Sequence, residues 1–173
     1  MSSATWLPAY ACRGLWTLIA LATLATACTT QSAEQPPDAQ VLFVCEHGNV
    51  KSLMAASYFN QLAAERRLPF RAVSRGTNPD STTVPSPVVA GLASDGLDVS
   101  AFRPMPVSAT DFSAASRIVV IGTDLSAEND SASSKLERWN DVPAASVDYA
   151  AARESLKAHI EDLLQRLSRQ QTR

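Results

Sequence analysis

The chain has 173 residues, with 15 lysines and arginines against 17 aspartates and glutamates, giving a formal net charge of −2. This length suits one folded domain, and the charge balance offers no basic surface for a nucleic-acid backbone, so we expect no nucleic-acid partner. Hydrophobic residues make up 46% of the sequence and only 3 cysteines and 2 histidines occur, so we expect a globular protein with no metal site and no cofactor.

Residues 1–27 have the pattern of an export signal. An uncharged apolar run from Gly14 to Ala27 follows Arg13, and it is shorter than a membrane span requires. The end of this run, directly before Cys28, resembles the lipobox of bacterial lipoproteins, where the cysteine is acylated after cleavage. A plain secretory signal or an uncleaved anchor is the alternative. We expect a membrane-anchored protein of the bacterial cell envelope that faces the periplasm, with lipidation at Cys28.

Residues 28–40 are expected to be a flexible tether, because they are rich in Ser, Thr, Gln and Pro and have no apolar period. The folded domain is then predicted to occupy residues 41–170. Its first element, residues 41–44, is a continuous apolar run typical of a central strand that is covered on both faces.

The rest of the domain alternates between helical and strand patterns. Apolar residues at helical spacing predict helices, and short runs rich in branched residues predict strands. A stretch rich in Gly and Pro predicts a loop. The predicted elements are a helix over 52–67, a strand over 70–73, a loop over 74–87, a helix over 88–94, a strand over 117–122, a weaker strand over 135–139 and a helix over about 149–167. This order favours an α/β domain with a parallel sheet, whose ligands bind beyond the carboxyl ends of the strands.

The segment from Cys45 to Ser52 connects the first predicted strand to the first predicted helix. A turn of this kind can direct successive backbone N–H groups at an anion of phosphate size, and the helix N-terminus adds partial positive charge. The same field stabilises a thiolate, so Cys45 is a candidate nucleophile with Lys51 beside it. In isolation, a cysteine at the end of an apolar strand is more often a small buried apolar residue. The glycine-containing turn, with Lys51 and Ser52 behind it, favours a thiol in an anion-binding loop.

The segment VLFVCEHGNVKSLMAA resembles the low-molecular-weight protein tyrosine phosphatases and the arsenate reductases that share their fold. Three further segments resemble the family in order and spacing: Ser74-Arg75-Gly76-Thr77, Leu97-Asp98-Val99-Ser100 and Trp139-Asn140-Asp141-Val142-Pro143. The resemblance implies a three-layer flavodoxin-like α/β domain with a four-stranded parallel sheet and a strand-to-helix phosphate-binding loop.

The resemblance also implies roles for individual residues. Cys45 attacks phosphorus and Asp141 protonates the leaving oxygen, with Asp148 and Asp130 as alternatives to Asp141. Lys51 stands where the family has an arginine, and an ammonium lacks the planar fork that holds two phosphoryl oxygens. The hydroxyl of Ser52 either donates to the thiolate or caps the helix. Substrate contacts are expected from the turn itself, which consists of Glu46, His47, Gly48, Asn49 and Val50.

These observations predict an exported phosphatase-like protein that hydrolyses phosphomonoesters of the phosphotyrosine type through a phosphocysteine. One alternative is a catalytically impaired module that binds an oxyanion or a partner. Another is an arsenate-reductase-like protein that uses an external thiol, because neither Cys12 nor Cys28 is expected to be available to Cys45.

Overall fold

The computed structural model describes residues 39–125 and 134–171. The predicted signal peptide, the lipidation site Cys28 and most of the predicted tether lie outside the described residues, as does Asp130. The strands are β1 (Ala39–Cys45), β2 (Phe70–Gly76), β3 (Arg117–Ile121) and β4 (Leu136–Trp139). The helices are α1 (Lys51–Glu65), α2 (Ser86–Ser94), α3 (Ala109–Ala114) and α4 (Tyr149–Gln171).

The four strands form one parallel sheet in the order β2-β1-β3-β4. β1 is therefore a central strand, as its apolar run predicted. The chain leaves β1 toward β2 on one side and later returns to β3 on the other side. Ligands of open α/β sheets bind at such a point, beyond the carboxyl ends of the diverging strands. Cys45, the last residue of β1, lies at this point and pairs with Gly76 of β2.

Side chains of β1 alternate between two cores, one on each face of the sheet. Val41, Phe43 and Cys45 belong to the larger core, together with buried residues of α1, α2 and α4. Leu42 and Val44 belong to the smaller core, against which Phe112 of α3 packs. The result is the three-layer α/β arrangement that the resemblance implied, with Cys45 on the face covered by α1 and α4.

The predicted loop over residues 74–87 is too long at both ends. β2 continues to Gly76 because its last residues pair with Phe43, Val44 and Cys45 of β1. At the other end, α2 begins at Ser86 with Pro87 in its first turn. Proline is compatible with that position, since the first-turn N–H groups have no partner within the helix.

The sequence interpretation missed α3. Ser108 caps this helix, its hydroxyl accepting from the Asp111 backbone N–H at 3.2 Å, while the Asp111 carboxylate accepts from the Ser108 backbone N–H at 2.9 Å. This reciprocal capping box is a recognisable start signal. None of the helices in residues 39–125 and 134–171 is both long enough and apolar enough to span a membrane.

Candidate active site

A turn of five residues, 46–50, carries the chain from the end of β1 into α1. Lys51 and Ser52 are the first two residues of the helix, and Val50 is its N-cap residue without a side-chain cap. Gly48 within the turn has a φ of +73°, a conformation that residues with a Cβ rarely adopt. The strand-to-helix loop therefore forms as the sequence predicted, and its glycine allows the chain to reverse.

The turn rests directly on the end of β2. A Cβ built on Gly48 would lie 2.6 Å from the Gly76 backbone N, and a Cβ on Gly76 would lie 2.8 Å from the His47 carbonyl carbon. Backbone N–H groups of Thr77 and Asn78 donate to the carbonyl oxygens of Cys45 and Glu46 at 3.0 and 2.8 Å. Main-chain contacts thus fix the position of the turn, and the two glycines permit the close approach.

The Cys45 thiol is buried, with 4% of the residue exposed, and it has a hydroxyl partner. Its Sγ lies 2.9 Å from Ser52 Oγ, and Ser74 Oγ lies 2.9 Å from the same Ser52 oxygen. Ser74 Oγ also lies 3.0 Å from the Gly48 carbonyl oxygen, so Ser74 donates its single hydrogen either there or to Ser52. In both cases the Ser52 hydroxyl keeps its own hydrogen for the sulfur. Ser52 therefore contacts the thiol as the resemblance implied, and the helix-capping interpretation of Ser52 is wrong.

The Lys51 ammonium lies over a third glycine, directly after β3. Gly122 has a φ of +57°, and a Cβ built on it would collide with Lys51 Nζ. The missing side chain at Gly122 leaves the space that the ammonium fills. The sequence interpretation did not identify Gly122, although a glycine directly after a buried strand is a signal for a close approach.

Asn49 holds the turn to the segment before α2. Asn49 is 4% exposed, and its side-chain Nδ2 donates to the Thr83 carbonyl oxygen at 3.0 Å. Its Oδ1 is buried without a hydrogen-bond partner among the described residues. The contact to Thr83 makes Asn49 a brace of the loop as well as a residue of the pocket.

Glu46 and His47 lie at the rim of the turn and are more exposed than Cys45. The Nδ1 atom of His47 lies 3.4 Å from the Asn78 carbonyl oxygen and 3.2 Å from Asp80 Oδ1, while its Nε2 lies 3.9 Å from Glu46 Oε2. The imidazole is thus placed between two carboxylates. Asp80 was not among the predicted site residues, because nothing in its loop indicates that it faces His47.

A pocket of about 410 Å³ lies beside the turn. Cys45 and the first turn of α1 form one part of its lining. The segment before and at the start of α2 forms another part, and the segment after β4 completes it. The lining residues are Cys45, Glu46, His47, Asn49, Val50, Lys51, Pro85, Pro87, Val88, Gly122, Ala144, Ala145 and Ser146.

The structure does not bring Asp141 into this lining. Both carboxylate oxygens of Asp141 lie 3.0 Å from Nε2 of His159, a residue of α4 whose ring stacks on Trp139. The backbone N–H of Asp141 and the His159 imidazole lower the pKa of this carboxyl below its ordinary value. The alternative Asp148 accepts from the Ala151 backbone N–H at 2.9 Å, at the start of α4. The proton-donor role of Asp141 stays a prediction.

The sequence profile of the low molecular weight phosphotyrosine protein phosphatases matches residues 40–162, which is more than two thirds of the chain. The match covers the loop, the pocket and every strand of the sheet. Among curated protein sequences, no significant match is found.

Solved structures of this family and of arsenate reductases have the same fold. YfkJ from Bacillus subtilis superposes with a TM-score of 0.66 at 21% identity, covering 79% of this chain and 98% of that one. A low molecular weight protein tyrosine phosphatase from T. tengcongensis superposes with a TM-score of 0.64 at 23% identity, covering 73% of this chain and 98% of that one. A thioredoxin-dependent arsenate reductase from Corynebacterium glutamicum superposes with a TM-score of 0.61 at 19% identity, covering 78% of this chain and 64% of that one.

Proposed function

We propose that this chain, which belongs to the low molecular weight phosphotyrosine protein phosphatase family, binds phosphate-like oxyanions and hydrolyses phosphomonoesters through Cys45. The observation that carries the proposal is the Sγ–Oγ distance of 2.9 Å between Cys45 and Ser52, at the mouth of a strand-to-helix turn. A hydroxyl that donates to sulfur stabilises the thiolate, which is the nucleophilic form of cysteine.

The proposed reaction has two steps. The Cys45 thiolate forms a bond to phosphorus while the bond from phosphorus to the ester oxygen breaks, and the leaving oxygen takes a proton. Water then attacks the phosphocysteine, giving inorganic phosphate and the free thiolate, and a base takes the proton of the water. The Lys51 ammonium and the N–H groups at the start of α1 offset the negative charge of the phosphoryl group.

Lys51 limits this activity. Its ammonium is a single point of charge, whereas a guanidinium would bond two phosphoryl oxygens in one plane. We therefore propose a slow enzyme, with substrates whose leaving group departs readily.

A second candidate is an oxyanion-binding module without turnover. The observation that favours it is the composition of the pocket wall after β4, which presents Ala144, Ala145 and Ser146 rather than a carboxylate. An arsenate-reductase reaction would need a thiol from another molecule, since Cys45 is the only cysteine in residues 39–171.

The deciding experiment is single-turnover release of phosphate from an aryl phosphate by the full-length protein and its Cys45→Ser variant. A burst that disappears in the variant supports the phosphocysteine mechanism. If the intact protein releases none while phosphate still protects Cys45 from alkylation, the binding module is the better description. If the intact protein releases no phosphate and phosphate does not protect Cys45, both candidates are wrong.

We further propose that the domain is exported and anchored to the bacterial cell envelope through Cys28, facing the periplasm. The support is the lipobox-like sequence before Cys28, together with the apolar run that precedes it. The test is metabolic labelling with a radioactive fatty acid. We expect label on the intact chain and none on Cys28→Ala. Equal labelling of the two would contradict the anchor.

A further inference from the structure

The pocket contains few groups that can carry a proton to or from a substrate. Its titratable lining residues in the described chain are Cys45, Glu46, His47 and Lys51. Cys45 is the proposed nucleophile, and Lys51 is the proposed contact of the phosphoryl group. Asp141 is engaged by His159 outside this lining. The proton for the leaving oxygen must therefore come from Glu46, His47 or the solvent.

The contacts of His47 orient its ring. The Asn78 carbonyl oxygen and the Asp80 carboxylate lie 3.4 and 3.2 Å from Nδ1, and both accept rather than donate. A hydrogen on Nδ1 is therefore favoured, and a second proton would reside on Nε2. Among the described residues, Nε2 faces only the Glu46 carboxylate, at 3.9 Å, which is too long for a hydrogen bond. This nitrogen can exchange a proton with a ligand without breaking an internal hydrogen bond.

Two carboxylates flank the His47 ring, one near each of its nitrogens. Glu46 comes from the same turn, and Asp80 comes from the loop after β2. The opposing charge is the Lys51 ammonium, from the first turn of α1, which lines the same pocket. Both carboxylates are largely exposed, so solvent can reach the ring between them.

We propose that His47 is the general acid and base of this site, acting through Nε2. This inference rests on the proposed phosphatase function. In the first step, the Nε2 proton moves to the ester oxygen as the bond from phosphorus to that oxygen breaks, which leaves a neutral imidazole. In the second step, Nε2 takes a proton from the water that attacks the phosphocysteine, which restores the charged ring and releases phosphate.

The test compares two aryl phosphates that differ in how much they need a proton donor. Dinitrophenolate is stable as an anion and leaves unaided, whereas phenolate does not. In His47→Gln of the full-length protein, we expect a loss of about a hundredfold in the rate of phosphocysteine formation with phenyl phosphate. We expect little loss with dinitrophenyl phosphate. His159→Gln, the same substitution at the other histidine of the chain, is the matched control and should change neither rate.

The outcomes separate the inference from the function on which it rests. An equal loss with both substrates in His47→Gln would show a structural role and overturn the inference, while leaving the phosphatase proposal standing. Selective loss with phenyl phosphate in Asp141→Asn, but not in His47→Gln, would assign the proton to Asp141 instead. Absence of Cys45-dependent release from dinitrophenyl phosphate by the unaltered protein would overturn the phosphatase proposal and the inference together.

Discussion

The space that Gly122 leaves open is occupied by the ammonium of Lys51, so this glycine and this lysine form one unit of the site. We expect Gly122→Ala to displace the ammonium and to weaken the phosphate protection of Cys45 against alkylation. A positive φ costs a residue with a Cβ roughly 1–2 kcal/mol, so the free energy of unfolding in urea should fall by about that amount.

Gly96→Ala is the matched control for this substitution. Gly96 has a φ of +79°, but a Cβ there would meet no atom within 4 Å. We expect a similar loss of stability and full phosphate protection of Cys45. Equal loss of protection in the two variants would mean that the effect of Gly122→Ala is general destabilisation and not displacement of Lys51.

The hydroxyl of Ser52 is the partner of the thiol, and its removal tests whether Cys45 is held ready to react. We expect Ser52→Ala to slow the alkylation of Cys45 by iodoacetamide at neutral pH by about tenfold, since hydrogen bonds to a charged group are worth roughly 1.5–3 kcal/mol. Ser57→Ala, in the same helix, is the control. An unchanged rate in Ser52→Ala would contradict the role of the hydroxyl.

The site was predictable at the residue scale wherever residues adjacent in sequence define it. Cys45, Lys51 and Ser52 flank one short turn, and the pattern of strand, turn and helix in the sequence places them at a helix N-terminus. Gly122 and Asp80 come from distant segments, and no local pattern reveals that they face Lys51 and His47. Such partners depend on the sheet order and loop paths, which a single sequence does not specify.

At the scale of elements, a polar network joins the helices that cover the larger core. Tyr58 of α1 donates to Asp95 at 2.6 Å and lies 2.9 Å from the hydroxyl of Tyr149 in α4. Burial, with the neighbouring Asp95, raises the pKa of Tyr58, which therefore stays protonated and remains a donor. Arg153 of α4 lies 3.2 Å from Asp95 Oδ1. The network ties α1 and α4 to the residue that follows α2.

This network makes the stability of the fold depend on pH. The Tyr58 hydroxyl, with a further contribution from Arg153, lowers the pKa of Asp95 below its ordinary value. A carboxyl whose pKa is lower in the folded state stabilises that state at neutral pH, and the contribution is lost as the pH falls through the folded pKa.

We expect Asp95→Asn to lower the free energy of unfolding at pH 7 by about 2 kcal/mol, the value of a hydrogen bond to a charged group. At a pH below the ordinary pKa range of aspartate, the difference in the free energy of unfolding between the two proteins should shrink. Protonation then removes the Asp95 charge from the unaltered protein as well. Urea titrations at neutral and acidic pH measure the free energy of unfolding of each protein. Glu154→Gln, which alters an exposed partner of the same arginine, should change little. A difference that is constant with pH would contradict the role of the Asp95 charge.

Elements with strong periodicity were predicted well, and elements that depend on pairing were not. α1 and α4 carry long apolar stripes, so their positions followed from the sequence. The last residues of β2, from Ser74 to Gly76, have the composition of a loop and become strand only because β1 lies beside them. α3 has six residues and too short a pattern for a period, although its capping box was readable.

At the scale of the whole molecule, the turn joins β1, the end of β2 and the start of α1, so occupancy of the turn should stabilise the entire domain. We expect phosphate at ten times its dissociation constant to add about 1.4 kcal/mol to the free energy of unfolding. Differential scanning calorimetry would show this as a rise in Tm. Lys51→Gln should lose most of the rise. The same rise in that variant would mean that phosphate acts as a general salt and not at this site.

The architecture as a whole was predictable because strands and helices alternate along the chain, which favours a parallel sheet. The central place of β1 also followed from its apolar run. The positions of the other strands did not, since each of them is compatible with either side of β1. The order β2-β1-β3-β4 comes from the structure. The resemblance implied a four-stranded parallel sheet, and the match over residues 40–162 confirms the family.

The contact of Gly48 with the backbone of β2 has a consequence for how such sequences can diverge. Main-chain contacts, two glycines and the Asn49 side chain hold the turn, so many of the other side chains around it can change without moving the sulfur. Homologous folds at 21% and 23% identity are then expected, provided that the glycines persist. Exchanges of side chains around the sulfur should therefore change what the pocket binds before they change the fold.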